Sequence, residues 1–126
     1  MTLFDERERA FELIFVHEED LRFLARARRN RLFGSWAAEQ LGLRGQEWEQ
    51  CIASFLRCAV DQQSDETLIE RVRSAFLAHG VPAFDRRIRA ALTEAAAQAV
   101  IQIRAGIPPA SRPAARPSLE PVASDF

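Results

Sequence analysis

Few side chains in this 126-residue chain have the chemistry for catalysis, and their spacing does not bring them together. His17 is followed by Glu18, Glu19 and Asp20, residue types suited to general acid–base work. On a helix, however, consecutive residues point in different directions, so this quartet does not converge on one substrate atom. Cys51 and Cys58 share a helix face but lie about 10 Å apart along the axis, at 1.5 Å per residue. That distance is beyond a disulfide, and both histidines stand far off in the sequence, so no zinc set forms. The two thiols read as small core hydrophobes. His79 precedes Gly80 at an expected helix end, where a capping role suits the dipole. There is no phosphate-cradling Gly-rich loop, no HExxH and no GxSxG. The expectation is a protein that is not an enzyme and uses no metal or cofactor.

The elements that carry these residues follow from composition. Hydrophobic residues make up 48% and charged residues 28%, the mixture of an ordinary single-core domain. Ala, Leu, Arg, Glu and Gln dominate, Tyr is absent and only five Gly occur, so the class is all-α. A net charge of −1 provides no global field to draw nucleic acid. All 17 basic residues are Arg. Arg suits phosphate recognition, but a GC-rich coding bias explains both Arg and Ala. No apolar run approaches the roughly 18 residues of a membrane span. The acidic first 20 residues lack the apolar core of a signal peptide. The expected address is cytoplasmic.

Four amphipathic stretches predict four helices joined by short loops, hence a four-helix bundle. The first covers residues 4–41, with Phe4, Phe11, Phe15, Leu24, Leu32 and Trp36 at helical spacings and Gly42 as C-cap. The second covers 46–61, with Trp48, Ile52, Phe55 and Ala59 inward. The third begins at Ser64 or Asp65 as cap and places Leu68, Ile69, Val72 and Phe76 inward. The fourth has Pro82 near its first turn, then Phe84, Ile88, Leu92, Ala95, Ala99 and Ile103. From Gly106 the pattern stops. Five prolines (Pro108, Pro109, Pro113, Pro117 and Pro121) mark residues 106–126 as a disordered Pro-rich tail.

The first helix is too long for its own core. An uninterrupted helix over 4–41 spans about 55 Å, against a radius of gyration of about 14 Å for a domain of this mass. Either the helix bends, with Gly34-Ser35 the natural place, or its leading turns project or fray. Its charge is also divided. Residues 1–20 carry seven acids against Arg7 and Arg9, a balance of −5, and residues 21–38 carry five Arg and no acid. This order suits the macrodipole, and Glu18–Arg22 has the favourable i,i+4 order. What the dipole does not explain is the apolar run Leu13-Ile14-Phe15-Val16 and the distal Phe4 and Phe11. Such a projecting helix is a ligand for a partner's groove. Its acidic polar face argues against membrane insertion and against nucleic acid.

Two blocks are more specific. Phe4-Asp5-Glu6-Arg7-Glu8-Arg9-Ala10 resembles the N-terminal FDxRERA block of the alphaproteobacterial F-type ATP synthase inhibitor zeta subunit family. Ala27-Arg28-Arg29-Asn30-Arg31-Leu32-Phe33-Gly34-Ser35-Trp36-Ala37-Ala38 resembles its ARRNxLxGxWAA signature, continued by Leu41-Gly42-Leu43. The resemblance implies a four-helix fold and an inhibitor peripheral to the inner membrane, bound to the alpha, beta and gamma subunits of the catalytic head. It implies a projecting, mobile inhibitory segment in residues 1–20, a bundle in 21–105, and entry of the segment into a catalytic interface to block ATP hydrolysis. Phe4, Phe11 and Phe15 would be apolar anchors, and Asp5, Arg7, Glu8 and Arg9 orienting contacts. Arg28, Arg29, Asn30, Gly34 and Trp36 are signature positions of the body. Two departures stand out: residues 11–16 are more apolar than the family pattern, and Arg71 and Ala75 stand where it has Lys and Asp. The alternative is a diverged helical interaction module with a different partner.

Overall fold

The computed structural model describes residues 3–109, with side chains from Glu18 onward. The chain folds as four helices: α1 (Leu3–Leu41), α2 (Gly45–Val60), α3 (Asp65–Ala78) and α4 (Asp85–Arg104). α1 is the axis of the packing, touching both α2 and α4, while α3 lies against α4. Side-chain bonds from Arg28 to Gln102 and from Arg87 to Gln40 fix α1 and α4 as antiparallel.

Local sequence explains each boundary. α1 ends because Gly42 takes φ 71°, a left-handed conformation that costs glycine little. The reversal lets the Leu43 amide donate to the Ala38 carbonyl at 3.0 Å, closing the last turn. Ser64 caps α3, its hydroxyl accepting from the Thr67 amide at 3.2 Å. At the other end His79 brings its backbone N–H and its Nδ1 to the Ala75 carbonyl. α4 starts three residues beyond Pro82, which lies in the linker. Phe84 takes the extended N-cap position and is 66% exposed, so it is not part of the apolar stripe. The first turn is anchored instead at Asp85, which Arg73 and Arg89 hold.

The main core joins Phe33 and Ala37 of α1, Phe55 and Cys58 of α2, Leu68, Val72 and Phe76 of α3, and Ile88, Leu92 and Ala95 of α4. A smaller cluster of Ala38, Trp48 and Ile52 closes the α1–α2 end. α1 has no break at Gly34-Ser35. The hydrogen-bonded helix continues through these two residues. The proline-rich stretch from residue 110 onward lies outside the described residues.

α3 and α4 are also tied by charge. Arg89 grips Glu66 with both guanidinium nitrogens, at 2.6 and 2.8 Å, and donates from Nε to Asp85 at 2.7 Å. Arg73 bridges Glu70 and Asp85. The hydrogen bonds from Arg89 hold both Glu66 and Asp85 below the usual carboxylate range. Groups that bind protons less readily folded than unfolded stabilise the fold above their unfolded pKa. That contribution is lost as pH falls through the folded pKa. The melting temperature should therefore hold near neutrality and fall from roughly pH 5 downward. Arg89→Ala should flatten this acid dependence, as circular dichroism melts across the range would show. An unchanged acid slope in the variant would exclude the network as its cause.

Candidate functional site

The signature residues meet at one level of α1, where that helix touches all three others. Arg28 donates from NH1 to Gln102 of α4 at 3.0 Å. Arg29 reaches Asp65, at the start of α3, at 2.9 Å. Asn30, only 1% exposed, donates from Nδ2 to the Phe55 carbonyl of α2 at 3.0 Å. The Arg29 guanidinium donates to Asn30 Oδ1 at 2.9 and 3.0 Å. A buried amide left unpaired is costly. Here the acceptor is held by one neighbour and the donor by another helix, so the amide has a single orientation.

One turn on, α1 and α2 come so close that a side chain on Gly34 would crowd Phe55. A Cβ on Gly34 would stand 3.0 Å from Phe55 Cγ and 3.1 Å from Phe55 Cβ. The Phe55 ring fills that space and meets Phe33 edge-on at 5.8 Å. Trp36 stacks on Phe33 at 5.9 Å and tilts against Phe76 at 5.6 Å. Cys51 points its Sγ at the Gly34 carbonyl, and burial pushes its thiol up, against the pull of Arg71. A thiol so held is protonated at neutral pH and is a poor nucleophile. Among the described residues, no three His, Cys, Asp or Glu are grouped to hold a metal.

The buried seam of α1 is Asn30, Phe33, Gly34, Ala37 and Ala38, which differs from the stripe expected from the largest apolar residues. Leu32 and Trp36 pack on the core's margin, and Leu24 is 51% exposed. Upstream of Ala25 burial ceases: residues 18–24 are all exposed, including Leu21 and Phe23. Leu21 and Phe23 are apolar surface that the helical spacing did not single out. Glu18 and Arg22 form no ion pair among the described residues, and both are exposed. The backbone of residues 3–17 continues α1. The side chains of Phe4, Asp5, Arg7, Glu8, Arg9, Phe11 and Phe15 lie outside the described residues, as does His17.

Comparison with known families places the chain. The family described as ATPase inhibitor subunit zeta matches residues 1–102. The chain belongs to that family. Membership covers α1, α2, α3 and nearly all of α4, and it implies inhibition of the ATP synthase by a regulator that is not itself an enzyme. Comparison with curated proteins and with solved structures returns no match. In this zeta-family chain, no helix among the described residues is long and apolar enough to cross a membrane.

The junction makes the body sensitive at two small residues. Gly34→Ala gains about 1 kcal/mol of helix propensity. It also forces Phe55 to move at a point close to its backbone, an overpacking cost of about 1–3 kcal/mol. The net expectation is a loss of about 1 kcal/mol. Asn30→Ala removes the amide and leaves a void, for a loss of about 2 kcal/mol. Urea unfolding of both variants measures these values; a stabilised Gly34→Ala would show that α1 and α2 separate easily.

Proposed function

We propose that this zeta-family chain inhibits the F-type ATP synthase by inserting residues 2–17, as the leading turns of α1, into a catalytic alpha/beta interface beside the rotor. There the helix acts as a wedge against rotation in the hydrolysis direction. The observation that carries this reading is the mismatch between helix and body. α1 is 39 residues long, and among the residues whose side chains are described, 18–24 are exposed and burial begins at Ala25. Residues 3–24 make about 33 Å of helix, and its stretch 18–24 is exposed. Residues 1–20 are assigned as the inhibitory segment, 21–105 as the body and 106–126 as a tail outside the inhibitory action.

The sequence of the leading turns suits that role. At 100° per residue Phe4, Phe11 and Phe15 fall within about 40° of one another around the helix. One groove can therefore receive all three rings. Each ring contributes about 1.5–3 kcal/mol if fully buried, against an ordering cost of roughly 2–5 kcal/mol for the segment. Asp5, Arg7, Glu8 and Arg9 lie between the anchors and set orientation through hydrogen bonds and charge. Arg28, Arg29, Asn30, Gly34 and Trp36 act at a distance, by fixing the body from which the helix extends. The protein then sits peripheral to the inner membrane through its partner.

ATP hydrolysis by the cognate enzyme tests the reading. Full-length protein should inhibit, and a variant lacking residues 2–17 should not, while keeping its circular dichroism melt. Phe11→Ala should raise the half-inhibitory concentration by roughly ten- to hundredfold, the equivalent of its buried ring. Equal inhibition by the full-length and shortened proteins would reject insertion and favour another partner or another surface.

A further inference from the structure

The stretch of α1 that follows the inserting residues 2–17, before its packed seam begins at Ala25, carries its own binding character. Leu21, Phe23 and Leu24 are 37, 45 and 51% exposed. On a helix they cover about 160° of the circumference, and Arg22 and Arg26 follow on the adjacent side. Neither arginine makes an ion pair among the described residues. Apolar surface that extends so far round a helix suits the walls of a cleft better than a single flat neighbour.

Distance identifies the cleft. Residues 18–24 advance the helix by about 10 Å, roughly its own width, and side-chain burial in the body begins at the next residue, Ala25. A partner that encloses the helix as far as His17 has its outer surface within that gap. Glu18, Glu19 and Asp20 occupy the turn nearest the segment; the arginines lie nearest the body.

We infer that Leu21, Phe23 and Leu24, with Arg22 and Arg26, form a second contact with the ATP synthase head, at the mouth of the interface that takes residues 2–17. The receiving rim is apolar, flanked by carboxylates on the side that faces Arg22 and Arg26. This contact rests on the insertion reading above. It adds affinity at the base of the wedge and sets how deep the helix goes, because the wider body stops at the rim.

The triple variant Leu21→Ala, Phe23→Ala, Leu24→Ala is the test. Alanine keeps helix propensity high, and the replaced side chains lie outside the core, so the melting temperature should not fall. The half-inhibitory concentration should rise about tenfold or more. Arg22→Gln with Arg26→Gln should weaken inhibition and reduce its dependence on salt. If the triple variant inhibits within about twofold of the parent while deletion of residues 2–17 abolishes inhibition, the collar is excluded and insertion stands. If the deletion has no effect, insertion fails and the collar fails with it. Sedimentation gives a further outcome: a dimer of the parent that the triple variant dissolves, with inhibition unchanged, would assign these residues to a second copy and overturn the inference.

Discussion

The close approach of α1 and α2 at Gly34 is the constraint from which the rest of the molecule follows. Phe55 packs 3.0 Å from where a Gly34 Cβ would stand, and its backbone is near enough for Asn30 to bond its carbonyl. Phe55 in turn sets the plane of Phe33, and Phe33 sets that of Trp36. Trp36 then defines where Phe76 of α3 can stand. Residues 28 and 29 clamp the outer helices at the same level. All the neighbours of α1 are thus gathered along its C-terminal half. Upstream of the seam, residues 18–24 are exposed, a result of the packing and not of weak helix formation.

Much of this was legible in the chain. The four helices, the Ser64 cap, the Gly42 stop and the inward faces of α2 and α3 follow from periodicity and capping chemistry, which are local. The α1 seam was harder to read. Size and hydropathy pointed to Leu24, Leu32 and Trp36, whereas the deepest positions are Asn30, Phe33, Gly34, Ala37 and Ala38. A polar amide and small residues mark a helix crossing only when the facing helix is known, so periodicity alone underrates them. Phe84 was misplaced for the opposite reason. It keeps the four-residue step to Ile88, but the extended backbone after Pro82 delays the helix to Asp85. The family blocks, FDERERA and ARRNRLFGSWAA, reported the relationship that no single physical pattern identified.

Exposure of a long helix does not make it expensive to form when one end is already held. Starting a helix in solution fixes several residues before the first bond is made, with a nucleation constant of about 10⁻³. That corresponds to roughly 4 kcal/mol, since each factor of ten is about 1.4 kcal/mol. In this chain residues 25–41 are helical because α2 and α4 pack on them. Upstream turns extend an existing nucleus, each adding one backbone bond for each residue ordered. Leu21, Glu18 and Glu19 are adequate helix formers, and the acids favour the N-terminal side of the dipole.

This gives the bundle a physical role in the proposed inhibition beyond carrying the wedge. A free peptide with the sequence of residues 2–17 would have to nucleate its helix at the moment of docking, and the cost would come out of the interaction of its anchors. Joined to the body, the same residues need only propagate, so more of the burial of Phe4, Phe11 and Phe15 is left as affinity. The junction at Asn30 and Gly34 also fixes the direction in which the helix leaves, because α1 runs through it without a break. A wedge that opposes rotation has to resist bending as well as dissociation. An unbroken helix seated in a four-helix body meets that mechanical demand, and a short linker between two separate pieces would not.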